Sequence, residues 1–157
     1  MKRLQTVLVF LIRDEHILLA RKKRGHGLGK LNGAGGKLEP GETPTAAAER
    51  EVHEELGVYV DELQEVAMLH FTQEPKIDAY SDEDCTVYLC RSWASEPTES
   101  DELEPFWFPL GSIPYDRMWV DDQYWLPLVL AGKHLEASFM FDGSLTLVDH
   151  TITELNV

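Results

Sequence analysis

The chain lacks the features that mark several large classes of protein. It has only two cysteines in 157 residues, which excludes a disulfide-stapled secreted scaffold. Cys85 and Cys90 sit in the run Cys-Thr-Val-Tyr-Leu-Cys, whose composition is that of a strand. Their odd spacing puts them on opposite faces, roughly 16 Å apart at about 3.3 Å per residue, beyond disulfide reach. Free thiols in a reducing, cytoplasmic setting are the expectation. Basic residues are scarce as well: 14 Lys and Arg against 28 Asp and Glu leave a net charge of −14. A chain this acidic gains little from counterion release on a polyanion, which argues against duplex nucleic acid as a partner. A phosphate ligand would have to be met through bound cations. Long apolar runs are missing too, because Arg13 and Asp14 interrupt the opening one, so no membrane span is expected. That opening stretch also lacks a cleavage-site pattern and reads as a strand rather than a signal peptide. No linker, internal repeat or low-complexity tract breaks the sequence.

What is present is the material of one globular domain over residues 1–157, 43% hydrophobic and long enough to bury a core. A monomer is expected. Leu4–Ile12 and Ile17–Arg21 are apolar runs separated by Arg13-Asp14-Glu15-His16, a hairpin signal. A glycine-rich stretch runs from Gly25 to Gly41. Thr43-Pro44 then starts a helix, with Thr43 as N-cap and Pro44 in first position; Ala46–Leu56 continues it and Gly57 ends it. Val58–Phe71, Cys85–Trp93 and Phe106–Leu110 read as strands. Asp121–Ala131 reads as a second helix that Pro127 should end or kink. Phe139–Phe141 and Leu145–Val148 flank the turn signal Asp142-Gly143. Such a mixture fits an α+β fold, a helix–sheet–helix sandwich.

The first helix carries an unusual charge pattern. Glu51 lies three residues from Glu54 and four from Glu55, so the three carboxylates cluster on the helix and repel one another. A solvated acidic face is the ordinary explanation of such a cluster. The preceding loop changes the weighting, because Gly35-Gly36 and Gly41 permit close backbone approach to a ligand. A hard divalent cation held by oxygen ligands is the natural compensation, and Arg50 can orient a carboxylate through a bidentate contact.

Residues 36–58 match Gly-x5-Glu-x7-Arg-Glu-U-x-Glu-Glu-x-Gly-U, where U is apolar, at every defined position. The fixed identities are Gly36, Glu42, Arg50, Glu51, Glu54, Glu55 and Gly57, with Val52 and Val58 in the apolar slots. At roughly one chance in fifteen per position, a fortuitous match is on the order of 10⁻⁸ per window. The chain thereby resembles the Nudix hydrolases. The resemblance implies a Nudix fold, a mixed β-sheet sandwiched between helices, and an enzyme that hydrolyses phosphoanhydrides with Mg²⁺, Mn²⁺ being a substitute. It implies Glu51, Glu54 and Glu55 as metal-binding carboxylates, with the Gly35-Gly36 backbone beside the metal. Glu54 or Glu55 is then the expected general base, Glu102 a competitor from the loop Glu99-Ser100-Asp101-Glu102, and Glu42 a support for the loop.

Outside that segment the chain resembles the animal-type, MutT-related oxidised purine nucleoside triphosphate diphosphatases. Lys22-Lys23-Arg24-Gly25, Asn32-Gly33-x-Gly35-Gly36-Lys37, Glu99-Ser100-Asp101-Glu102, Trp107-Phe108, Ile113-Pro114 and Met118-Trp119-x-Asp121-Asp122-x-Tyr124-Trp125 carry the likeness. It implies a small nucleotide substrate such as 8-oxo-dGTP or 2-hydroxy-dATP. Asn32, Trp119, Asp121 and Asp122 would line a base pocket, with Thr6, Lys22 and Phe71 nearby. Trp119 offers a flat face to a purine, Asn32 both a donor and an acceptor. Two close carboxylates need not both ionise, so the Asp121–Asp122 pair could exchange protonation states to meet a keto or an amino edge. Taken alone, adjacent aspartates more often open a helix, and Trp119 and Trp125 more often fill a core. Two departures stand out. His26, Leu31 and Ala34 replace aromatics in a loop expected to flank the pocket, and the acidic stretch Asp78–Asp84 has no counterpart. Other diphosphate substrates, or a silent nucleotide-sensing module, are the alternative readings; an intact motif opposes the second.

Overall fold

The computed structural model describes residues 3–75 and 82–157. Its elements are β1 (Leu4–Arg13), β2 (His16–Lys22), β3 (Leu31–Asn32), β4 (Ala34–Lys37), α1 (Pro44–Leu56), β5 (Tyr59–Val60), β6 (Gln64–Gln73), β7 (Glu83–Cys90), β8 (Trp93–Ala94), β9 (Leu103–Pro109), α2 (Asp122–Leu130), β10 (His134–Phe141) and β11 (Leu147–Leu155). No helix among the described residues is long and apolar enough to cross a membrane.

β1 is the axis of the sheet. One edge pairs in parallel with β7 over Leu4–Leu11, and the order continues outward through β6 and β10 to β11. The other edge changes partner along its length. Thr6–Val9 pair with β4, whereas Ile12 and Arg13 pair with β2. β2 in turn carries β3 and β9. The sheet therefore forks, with Lys22 and Asn32 on one branch and Gly35, Gly36 and Lys37 on the other. β1 is buried on both faces, which is why it reads as a continuous apolar run. Val7, Val9 and Leu11 join the core beneath α1; Phe10 and Ile12 join the core that contains Trp125, Leu126 and Val129 of α2. β10 covers one core only and alternates, with Leu135, Ala137, Phe139 and Phe141 inside and Glu136, Ser138 and Met140 outside. The helices thus lie on opposite faces of a mixed sheet. Cys85 and Cys90 are free and buried, one in each core.

α1 forms where its caps predict. Thr43 Oγ1 accepts the Ala46 N–H at 3.1 Å, and Gly57, at φ 72°, donates its N–H to His53. Other boundaries differ from the sequence-based expectation. Val58–Phe71 is broken after Val60, because β5 leaves to pair with β8 as a separate ribbon, tied by Asp61 and Ser92. For the same reason the Cys85–Trp93 run stops at Cys90. Pro127 does not end α2, which continues to Leu130. The bond it forfeits is to the carbonyl of Gln123, an exposed residue that water can serve. The turn at Asp142-Gly143 is wider than two residues: Asp142 receives the Thr146 N–H on its side chain and gives its own to the Thr146 carbonyl. Leu145 takes the left-handed conformation inside that turn, at φ 60°, rather than starting a strand.

Candidate active site

The fork in the sheet opens two adjoining hollows. The deeper, of about 380 Å³, is walled by Thr6, Asn32, Phe71, Trp119, Asp121 and Asp122, among others. The second, an open cleft of about 820 Å³, lies over α1 between Arg50, Glu51, Glu54 and Glu55 on one side and Ser100, Asp101 and Glu102 on the other. Lys22, Gly35, Gly36, Lys37 and Glu55 line both. Every residue expected at the site from the sequence therefore borders one continuous depression.

Arg50 organises the carboxylates of the cleft. Its guanidinium grips Glu42 with two bonds of 2.9 Å, and donates to Glu51 at 2.8 Å, to the Lys37 carbonyl at 3.0 Å and to Glu54 at 3.3 Å. A planar fork of donors is needed to serve so many acceptors. The bonds from Arg50 and from the Glu39 N–H hold the Glu42 carboxyl at about 2. Glu51 faces the backbone of Gly36 so closely that a Cβ there would sit 2.6 Å from its Oε1. Gly35 is fixed by the opposite neighbour, since its Cβ would lie 2.0 Å from the Val7 carbonyl oxygen of β1. These two glycines let a strand edge and a carboxylate occupy the same place.

Glu55 is the buried acid of α1, 4% exposed, with Oε1 accepting the Gly35 N–H at 2.8 Å. Burial, with added repulsion from Glu51 and Glu102, pushes its carboxyl up to about 8 despite that bond. Burial also raises Glu51, against the pull of Arg50. Glu102, by contrast, is held down chiefly by Arg24, which bonds it at 3.1 Å, with the charge of Lys22 adding to the pull. Of the basic cluster, Lys23 is taken up by Glu99 at 2.6 Å and Arg24 by Glu102 at 3.1 Å, while Lys22 reaches both hollows.

Among the described residues no three His, Cys, Asp or Glu side chains already form a closed metal cage; Arg50 holds Glu51 and Glu54 in the arrangement seen. The donor set nevertheless suits a cation. It is all carboxylate oxygen, crowded with like charge, and its most buried member is kept neutral for want of a counter-charge. Oxygen donors of this kind select a hard divalent ion.

The deeper hollow has a different chemistry. Asp121 and Asp122 are 4% and 2% exposed. Both stand at the start of α2, but the Asp121 side chain does not cap the helix and instead accepts the Trp125 Nε1–H at 2.9 Å. Oδ2 of Asp122 has no hydrogen-bond partner. Burial raises both carboxyl groups, and the charge of Asp121 drives Asp122 further up. His26 stacks on Trp119 with 4.9 Å between centroids, and the Lys30 ammonium lies 5.0 Å from the Trp119 ring. Burial, then Lys22, lowers the pKa of His26. Of the three departures noted in the preceding loop, only His26 reaches the hollow; Leu31 and Ala34 are buried in the two cores. The sequence reading also missed Glu83, which enters the hollow from β7 and accepts the Thr6 hydroxyl at 2.6 Å. Its place at the end of the unmatched acidic stretch hid it, and residues 76–81 of that stretch lie outside those described.

An acid-lined loop–helix cleft beside a strand edge, with a separate side pocket, defines a metal-assisted site of the phosphate-handling kind. The NUDIX domain profile matches residues 2–129, and the chain belongs to the Nudix family. It is 38% identical over 148 residues to an oxidized purine nucleoside triphosphate hydrolase of Danio rerio, spanning 94% of this chain and 93% of that one. The Mus musculus protein of the same name is 37% identical over 151 residues, 95% and 94% of the two chains. In fold the chain is similar to a MutT protein of Bacillus halodurans, with a TM-score of 0.83 over 95% and 97% of the chains at 21% identity.

Proposed function

We propose that this protein is a Mg²⁺-dependent hydrolase of oxidised purine nucleoside triphosphates, releasing the monophosphate and pyrophosphate and so clearing damaged nucleotides from the pool. It acts as a single-domain monomer in the cytoplasm. The observation that carries the base assignment is the lining of the deeper hollow, where the buried pair Asp121 and Asp122, with Oδ2 of Asp122 unpartnered, stands together with Trp119. An unsatisfied carboxyl oxygen in a dry pocket is costly unless a ligand donates to it, and a guanine-like edge with its N1–H and exocyclic amine does so. Burial favours a proton on the pair, and a proton placed on either residue also suits a base presenting an acceptor. The names of the vertebrate relatives agree with this reading.

Glu51, Glu54 and Glu55 would hold the metal beside the Gly35-Gly36 backbone. When bound, the ion neutralises phosphate charge, polarises the anhydride and makes water a better nucleophile. The chain's own residues do the rest. Arg50 fixes Glu51 and Glu42, Lys22 offers a cation where the two hollows meet, and Asn32, Phe71 and Trp119 orient the base. Glu54 has a side chain 57% exposed and a single long contact at 3.3 Å, which leaves it free to accept a proton from water. Glu102 faces it across the cleft as the competing base, and comparison of Glu54→Gln with Glu102→Gln in single-turnover kinetics separates them.

The test is steady-state hydrolysis of 8-oxo-dGTP and 2-hydroxy-dATP beside dGTP and dATP, with products resolved. Far higher kcat/KM on the oxidised pair, giving monophosphate and pyrophosphate, is the expected result. Equal activity on all four would remove the substrate assignment. Asp121→Asn and Asp122→Asn should each reorder the four substrates; an unchanged ranking defeats the exchange of protonation states.

A further inference from the structure

Three carboxylates, not two, enter the deeper hollow. Glu83 opens β7, next to Leu4 of β1 across the parallel ladder, and its side chain joins Asp121 and Asp122 on the wall. It lies near enough to Asp121 to raise that group's pKa. Thr6 donates its hydroxyl to Oε2, which occupies one oxygen. Asp84, the next residue along β7, points to the other face and is consumed by Arg3, Gln5 and His70, so the acidic stretch is split between two tasks. Burial pushes the Glu83 carboxyl upward, opposed by the Thr6 hydroxyl and the charge of Lys37.

An ionised carboxylate only accepts hydrogen bonds. Facing a ring nitrogen that carries a hydrogen it attracts; facing a bare lone pair it repels and stays unsatisfied. Oxidation of a purine at C8 makes that change at N7, turning a bare acceptor into an N–H. A pocket in which Asp121 and Asp122 take one edge of the base and a further carboxylate remains on the wall suits a base with one donor more than guanine. We infer that Glu83, held by Thr6, is a specificity-determining residue that accepts the extra N–H of a purine oxidised at C8 and turns away the unmodified base. The inference rests on the proposed purine pocket and adds the residue that tells damaged from intact purine.

The experiment compares kcat/KM for 8-oxo-dGTP and dGTP in the wild type and in Glu83→Gln, whose amide keeps the volume and the acceptor for Thr6 but can offer an N–H to N7. A second readout is the affinity of the two monophosphates by calorimetry in chelator, where hydrolysis plays no part. The ratio of oxidised to normal substrate should fall about tenfold in both, as expected for loss of one charge-assisted hydrogen bond. Glu83→Leu, similar in volume, repeats the comparison if thermal melting shows that the amide variant does not fold. A ratio within about twofold of wild type, in a variant that folds, overturns the role of Glu83. A wild type with no preference for 8-oxo-dGTP instead overturns the substrate assignment beneath it, so the two failures are distinct.

Discussion

Glu55 makes the metal-free protein sensitive to pH in a direction set by its burial. The carboxyl rises from 4.5 to about 8 on folding. Below the lower value both folded and unfolded states are protonated and the group costs nothing. As pH climbs toward about 8 the unfolded chain ionises while the folded one does not, and stability is progressively lost. At about 1.36 kcal/mol per unit the loss is on the order of 4–5 kcal/mol, a large share of the stability of a small domain. Bound Mg²⁺ removes the cause, because it supplies the missing counter-charge to the ionised form. The stabilisation by Mg²⁺ should therefore grow with pH, reaching about 2.7 kcal/mol at a hundredfold excess over Kd. The assay is urea denaturation from about pH 5 to about pH 9, in chelator and in Mg²⁺, for wild type and Glu55→Gln. Other acids, the half-buried Glu51 and Glu83 and the buried Asp122 among them, slope in the same sense, so the difference between the two proteins isolates Glu55. The amide keeps an oxygen for the Gly35 N–H but has nothing to titrate. Identical slopes for the two proteins in chelator would refute the reasoning.

Three further outcomes are expected. Arg50→Lys breaks the paired bonds to Glu42 and the contacts to Glu51 and Lys37, and should lower Mg²⁺ affinity or kcat/KM about 10–100-fold, read by metal titration of the rate. Gly36→Ala should fold yet lose metal affinity, because its Cβ meets only the end of a flexible Glu51 side chain, whereas Gly35→Ala meets the Val7 backbone and should cost about 3 kcal/mol or more; denaturation and metal titration together distinguish the two. His70 bonds Asp84 and Glu136 through its two ring nitrogens at 2.7 Å each, and although burial works against the charged ring, these partners raise its pKa. Its contribution is present at acid pH and lost as pH rises through the raised value, so an NMR titration should place the His70 ring above a histidine in Glu136→Gln.

Much of this was legible in the sequence, and the physical reason is locality. The caps of α1, the spacing of Glu51, Glu54 and Glu55, and the opposite faces of Cys85 and Cys90 all follow from residues close in the chain. Arg50 could be assigned a bidentate contact for the same reason, since Glu42 is only eight residues away. The fork is different. Whether β1 pairs with β4 or β2 depends on two-residue and four-residue strands whose composition, Leu31-Asn32 and Ala34-Gly35-Gly36-Lys37, carries no strand signal. Thr6 and Glu83 meet across 77 positions, in a parallel register that nothing local dictates. The left-handed turn at Leu145 runs against the preference of a bulky residue, held by the bonds that Asp142 makes with Leu145 and Thr146. His26 was noticed as a departure, but its stacking on Trp119 required the loop to be seen folded.

The change of partner along β1 has a mechanical side. Among the described residues the two blades of the sheet are joined by backbone pairing at the end of β1, where Ile12 and Arg13 meet β2, and each blade keeps its own ladder of backbone bonds beyond that joint. Asn32 rides on one blade and Gly36 on the other. A nucleotide held by its base at Asn32 and by its phosphates beside Gly36 is a strap across the joint. On the proposed reading, a substrate long enough to reach both residues would tie the two blades together across that joint.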